Sequence, residues 1–262
     1  MTKNSSRPSQ TTPLQDLQTL VRDLDLTTLA ENLPGFLEKA EQNNLAYTDF
    51  AMGLFQAEVV ARRARRTERN LKRSKLTSIE DLETFNFAVR PKLEARIIKE
   101  LCNCQFVEER RNILCLGRPG LGKTRIAKII AHSACLAGYS VLFVKTASML
   151  EDLHASLADG SGSRAMSRYT KPQLLVCDEF GYETFDPKAT KYLFRLISAR
   201  HKQGSIILTS NTGFTRWKTL FPSEAAAVAT VDRLVDQATI LRFTGQGYRQ
   251  PKDFHGESLE DD

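Results

Sequence analysis

The segment from Asn112 to Ala137 constrains the fold more than any other part of the chain. It reads as a short apolar strand, then Gly117-Arg-Pro-Gly-Leu-Gly122-Lys123-Thr124, then a helix over 125–137. The spacing G-x-x-x-x-G-K-T marks a loop that wraps phosphate groups. Its glycines let backbone N–H groups curl around an anion where a Cβ would clash. The positive end of the following helix faces the same anion. Gly117, Pro119, Gly120, Leu121, Gly122, Lys123 and Thr124, with Arg125 at the helix start, are the expected nucleotide-binding set. Lys123 is expected to reach the β- and γ-phosphates of ATP, and the Thr124 hydroxyl to ligate Mg²⁺.

Strands and helices continue to alternate after this loop. Strands are expected over 112–117, 140–145, 174–177, 205–209 and 238–243, with helices over 147–158, 188–202 and 225–235. Such alternation predicts an α/β domain, a parallel sheet covered by helices on both faces. Upstream, Leu14 to Lys75 shows a helical pattern alone, with breaks expected at Pro34-Gly35 and Asn43-Asn44. This predicts a small all-helical N-terminal domain of three helices. The expected organisation is a disordered lead over 1–13, the helical domain over 14–75, an extended linker over 76–90, the α/β domain over 91–250 and an acidic tail over 251–262. A further helix is expected over 93–109.

Composition narrows the setting. Hydrophobic residues make up 41% of the 262, enough for a real core. No run of roughly 18 apolar residues exists, and the polar N-terminus lacks the apolar stretch of a signal peptide, so no membrane span or export is expected. Five cysteines without a disulfide spacing point to a reducing cytoplasm. The four histidines are scattered, so neither a metal cluster nor a nucleophile–histidine triad is expected. A formal charge of +6 fits a nucleic-acid partner without requiring one.

Three further stretches carry candidate chemistry. Leu174-Leu-Val-Cys-Asp178-Glu179 ends an apolar run in two carboxylates. On a buried parallel strand, both reach the sheet's carboxyl edge beside the phosphate loop. Asp178 is expected to hold Mg²⁺, directly or through water, and Glu179 to orient and deprotonate the attacking water. Ser205-Ile-Ile-Leu-Thr-Ser-Asn211 is another apolar run with a polar end. Asn211 either hydrogen-bonds the water or the γ-phosphate, or closes the strand as a turn former. Finally, 61–75 holds Arg62, Arg63, Arg65, Arg66, Arg69, Lys72, Arg73 and Lys75 against one acid, Glu68. Arg62, Arg66, Arg69 and Arg73 fall on one helical face. Such a face suits a DNA phosphate backbone. It also suits a solvated helix, or one paired with acids from elsewhere.

These residues together resemble the AAA+ ATPases. Within them the chain is similar to the IstB group, transposition helper ATPases of insertion sequences, and more distantly to the DnaC helicase loaders. The similarity runs from about Leu14 to Arg249. It is carried by Asn44-Leu-Ala-Tyr-Thr-Asp-Phe50, Leu82-Glu-Thr-Phe-Asn-Phe87, Phe106-Val-Glu-Glu-Arg110, Asp178-Glu-Phe-Gly-Tyr182, Thr209-Ser-Asn211, Asp232-Arg-Leu234 and Gly247-Tyr-Arg249. The resemblance implies that Asn211 takes the sensor I position and that Arg233 is an arginine finger serving a neighbouring subunit. It implies that Arg249 is the sensor II arginine. It also places Arg164 and Arg168 near an extra helix that lines the DNA path in initiator-type relatives. Two positions depart from the group's pattern: Gln237 stands where a histidine is usual, and Arg118 replaces a small residue or proline.

The expectation is therefore a cytoplasmic AAA+ helper of transposition. It binds ATP and Mg²⁺, forms a homo-oligomer on double-stranded DNA largely without sequence preference, and recruits or activates a cognate transposase. ATP hydrolysis then resets the complex. The rivals are a helicase loader, which would grip a helicase through the N-terminal module, and a non-hydrolysing ATP-gated DNA scaffold.

Overall fold

The computed structural model describes residues 12–77, 82–90, 92–156 and 160–245. Three helices open the chain: α1 (Pro13–Asp23), α2 (Thr27–Gln42) and α3 (Tyr47–Ser74). Thr12 and Gln15 form a reciprocal capping box at the start of α1, and Pro13 takes the first helical position, where its missing N–H leaves nothing unsatisfied. The last two residues of the expected lead thus belong to a helix start, while 1–11 lie outside the described residues, as does the acidic tail.

The break expected at Pro34-Gly35 is absent, and α2 runs through both residues. A proline inside a helix leaves the carbonyl four residues back without its donor. Here that carbonyl belongs to Ala30, and the Gln18 side-chain amide from α1 donates to it at 3.1 Å. The chain turns instead between α1 and α2, where Asp25 takes a left-handed φ of 57°. The Asn43-Asn44 break is present, with Asn44 at φ 47°, a conformation asparagine tolerates. Val21, Leu29, Ala30, Leu33 and Leu54 form the small core of these helices.

One acid is buried beside that core. Glu58 is 2% exposed. Its carboxylate accepts the Leu29 N–H at 2.9 Å and pairs with Arg62 at 3.0 Å and Arg65 at 2.9 Å. Burial pushes the Glu58 carboxyl up, but these donors outweigh it and hold the group below its ordinary value. Glu58→Ala leaves the Leu29 N–H without an acceptor. A buried donor left unmade costs about 1–3 kcal/mol. We therefore expect denaturant unfolding of the full chain to show the helical unit destabilised by about that free energy, with nucleotide affinity unchanged.

The chain divides into two compact units between Glu68 and Arg69, inside α3. In the second unit, residues 82–90 are not a free extended linker. They form a short 3₁₀ turn, Leu82–Thr84, and bury Phe85 in the core of that unit. The single helix expected over 93–109 is split into α4 (Ala95–Cys102) and α5 (Gln105–Glu108), because Cys104 adopts φ 63° and its N–H turns back to Leu101 O. Then follow β1 (Ile113–Gly117), α6 (Lys123–Leu136), β2 (Val141–Lys145), α7 (Thr146–Ala155) and α8 (Gly162–Thr170). The remainder is β3 (Leu174–Phe180), α9 (Pro187–Arg200), β4 (Ser205–Ser210), α10 (Phe214–Trp217), α11 (Glu224–Val235) and β5 (Thr239–Phe243).

The five strands form one parallel sheet in the order β2-β3-β4-β1-β5. Side chains alternate faces along each strand. Ile113, Cys115, Val176 and Ile207 join a core with residues of α4 and α6. Leu114, Leu116, Leu175, Cys177 and Leu208 join a second core with residues of α7, α8, α9 and α11. The runs around Leu174 and Ile206 are apolar at every position because both faces are covered. The carboxyl ends of β1, β3 and β4 lie side by side, so their following residues share one edge. No helix among the described residues is long and apolar enough to cross a membrane.

Candidate nucleotide site

The loop from β1 to α6 is shaped by its glycines. Gly117 has φ 153°, and a Cβ there would lie 2.2 Å from Phe243 O. Gly122 has φ 92°, and a Cβ there would lie 2.8 Å from the Phe85 ring. Only glycine fits both places, so the loop keeps this tight path. Lys123 opens α6 and is itself buried, its Nζ donating to Gly117 O at 2.6 Å and to Arg118 O at 2.7 Å. Burial lowers its ammonium to about 8 against the opposing pull of Asp178. The loop forms one wall of a cavity of about 560 Å³, whose lining also includes Lys128, Glu179, Thr209 and Asn211.

The two acids occupy different environments. Asp178 is buried, and its Oδ1 accepts the Thr124 hydroxyl at 2.8 Å and the Thr209 hydroxyl at 2.5 Å. The Thr146 hydroxyl donates to its backbone carbonyl at 2.9 Å. Glu179 is exposed and has a left-handed φ of 58°. Its carboxylate pairs with Lys145, the last residue of β2, at 2.9 Å. Thr124 and Asp178 offer a hydroxyl and a carboxylate, the hard oxygen donors that Mg²⁺ takes together with waters. The pair fits such an ion.

Asn211 lines the cavity, and Arg125 turns over the Phe85 ring at 5.7 Å. Arg233 does not line this cavity. Its guanidinium stacks on Phe194 at 4.7 Å and donates to Ala229 O, beside a separate open hollow with His201 and Asp236. Arg249 lies outside the described residues. Among the basic residues of α3, Arg62 and Arg65 are engaged with Glu58, while Arg66, Arg69 and Arg73 are exposed. Arg168 pairs with Asp152 at 3.0 Å, and Arg164 is exposed. Sequence reasoning missed the roles of Thr209 and Lys145 at the acids. Thr209 was visible as a polar strand-end residue within the Thr209-Ser-Asn211 stretch, with no sign that it meets the acids. Lys145 had no local signal, because its contact depends on β2 lying beside β3.

A phosphate loop after β1, paired acids on β3 and a polar end on β4, all on one edge of a helix-covered parallel sheet, define a P-loop nucleotide-binding domain of the AAA+ class. The chain belongs to the IstB-like ATP-binding protein family, whose sequence profile matches residues 19–255. An insertion sequence IS5376 ATP-binding protein of Geobacillus stearothermophilus is 34% identical over 226 residues, 86% of this chain and 90% of that one. An insertion sequence IS21 ATP-binding protein of Pseudomonas aeruginosa is 32% identical over 236 residues, 90% of this chain and 89% of that one. Among solved structures, AMPPCP-bound DnaA from Aquifex aeolicus superposes with a TM-score of 0.55 at 17% identity, covering 64% of this chain and 51% of that chain. The DnaC helicase loader superposes with a TM-score of 0.50 at 17% identity, covering 67% and 99%. These two likenesses concern the fold.

Proposed function

We propose that the chain is a Mg²⁺-dependent ATPase that engages double-stranded DNA as a homo-oligomer and recruits or activates a transposase in the cytoplasm, with hydrolysis resetting the complex. The observation that carries this is the Thr124–Asp178 hydrogen bond with Glu179 in the same cavity. The chain's relatives are named as ATP-binding proteins of insertion sequences. In this account Lys123 leaves the loop carbonyls and donates to the β- and γ-phosphate oxygens. Thr124 and Asp178 would hold Mg²⁺, which would supply charge neutralisation during phosphoryl transfer. Glu179 holds the attacking water and takes its proton as the γ-phosphoryl group leaves ADP. Asn211, on the cavity wall, orients that water or the γ-phosphate, and Arg249 is assigned to the same nucleotide.

Arg233 is assigned to the site of a neighbouring subunit, since it does not line the cavity of its own chain. Arg233→Ala is expected to bind ATP normally and to hydrolyse it about 10³-fold more slowly. Mixing it with Glu179→Gln chains should restore part of the turnover, because some interfaces then pair an intact Glu179 with an intact Arg233. Absence of rescue in co-assembled subunits would refute action between chains.

Arg66, Arg69 and Arg73 are proposed to follow one DNA strand, with Arg164 and Arg168 as further contacts. Arg62, on the same face, and Arg65 are also proposed DNA contacts, but they hold Glu58, so replacing them would mix DNA binding with stability. The triple replacement of Arg66, Arg69 and Arg73 by alanine is the cleaner test. Each phosphate contact on duplex DNA contributes about 0.9 to the slope of log affinity against log salt. Three lost contacts should flatten the slope by roughly 2.7 per protomer. The loss should be similar on unrelated sequences, since backbone contacts carry no base information. An unchanged slope would remove this face from the DNA site. Capture of the cognate transposase, and not of a replicative helicase, separates the transposition helper from a helicase loader.

A further inference from the structure

Thr209 lies where β3 leaves regular pairing with β4. Cys177 pairs with Leu208 and Phe180 pairs with Ser210. One β4 residue, Thr209, therefore stands opposite two on β3, Asp178 and Glu179, which is the geometry of a β-bulge. In an unbroken strand these two acids would point to opposite faces of the sheet. Glu179 takes a left-handed backbone here, at φ 58°, a conformation disfavoured for a residue with a side chain. The result is one buried acid against Thr124 and one exposed acid lining the same cavity.

A single buried hydroxyl joins both acids. Thr209 is 1% exposed. Its Oγ1 accepts the Glu179 N–H at 3.0 Å and donates to Asp178 Oδ1 at 2.5 Å. The directions are fixed, because an amide N–H can only donate and a carboxylate can only accept. At the bulge the Glu179 N–H is taken by this side-chain hydroxyl. Asp178 Oδ1 is thereby held between two hydroxyls, Thr209 on one side and Thr124 on the other.

We infer that Thr209 is the positioning residue of the acid pair, its hydroxyl fixing the Glu179 backbone and aiming the Asp178 carboxylate at the metal side of the site. This inference rests on the ATPase assignment above. Groups that orient a metal-binding residue typically change metal affinity or activity by about 10- to 100-fold when removed. Thr209→Val keeps the shape and removes the hydroxyl, whereas Thr209→Ser keeps the hydroxyl. Binding of a fluorescent ATP analogue to the full chain, titrated with Mg²⁺, reads the effect without requiring turnover.

For Thr209→Val we expect the Mg²⁺ concentration at half-maximal enhancement of nucleotide binding to rise by about tenfold or more. Nucleotide affinity in the absence of Mg²⁺ should be unchanged, and kcat should fall by a factor in the same range. Thr209→Ser should restore both. A general loosening of the fold would weaken binding equally with and without Mg²⁺, and that outcome overturns the inference. So does an unchanged Mg²⁺ midpoint in Thr209→Val, or failure of serine to rescue. If the wild-type chain releases no phosphate, the ATPase assignment fails by itself, while the Mg²⁺ titration still reports on Thr209.

Discussion

Glu179→Gln is expected to retain ATP and Mg²⁺ binding and to lose turnover by roughly 10²- to 10⁴-fold. The amide has the shape of the carboxylate and still hydrogen-bonds water, but it cannot take a proton. The Mg²⁺-side residues are untouched, because Thr124 and Asp178 bond to each other and not to the Glu179 side chain. Complexes formed with ATP on DNA should consequently persist longer than those of the wild type. Single-turnover phosphate release, measured with protein in excess over ATP, checks this. Turnover within a few-fold of wild type would mean that another group accepts the proton.

Lys123→Ala is expected to remove ATP binding in the useful range. The ammonium donates to Gly117 O and Arg118 O of the loop, so it is already held where the phosphates would bind. Truncating one partner of a buried, hydrogen-bonded charge pair costs about 2–5 kcal/mol, or roughly 30- to 5,000-fold in Kd. The tight approach of Gly117 to Phe243 and of Gly122 to Phe85 remains in the variant, so the loop should keep its path. Calorimetric titration with ATP gives the answer directly. Near-normal affinity would refute the assignment of Lys123 to the phosphates.

The parts of the site that were legible in the sequence are those written locally. The phosphate loop lies within eight consecutive residues, and its glycines are required by contacts with Phe243 and Phe85 that any substituent would violate. Asp178 and Glu179 follow an apolar run whose burial on both faces could be inferred from its composition alone. What was not legible depends on register or on a distant partner. Lys145 meets Glu179 because β2 pairs beside β3, with Lys145 opposite Asp178. The role of Thr209 depends on a bulge that appears only once β3 and β4 are aligned. Pro34 reads as a helix break until Gln18, sixteen positions earlier, supplies the missing donor to Ala30. Arg62 and Arg65 read as members of a basic run with one nearby acid, Glu68, yet Glu58 one and two turns back is buried and draws both toward it.

Nucleotide held by this loop is proposed to govern engagement with DNA. The most direct measurement is duplex-DNA affinity of the wild-type chain at one fixed salt concentration, with Mg²⁺ and ATP, with Mg²⁺ and ADP, and without nucleotide. Tight binding with ATP, and binding at least tenfold weaker in the other two conditions, is the predicted result; a tenfold change corresponds to about 1.4 kcal/mol of coupling between the sites. Equal affinity in all three conditions would contradict the claim.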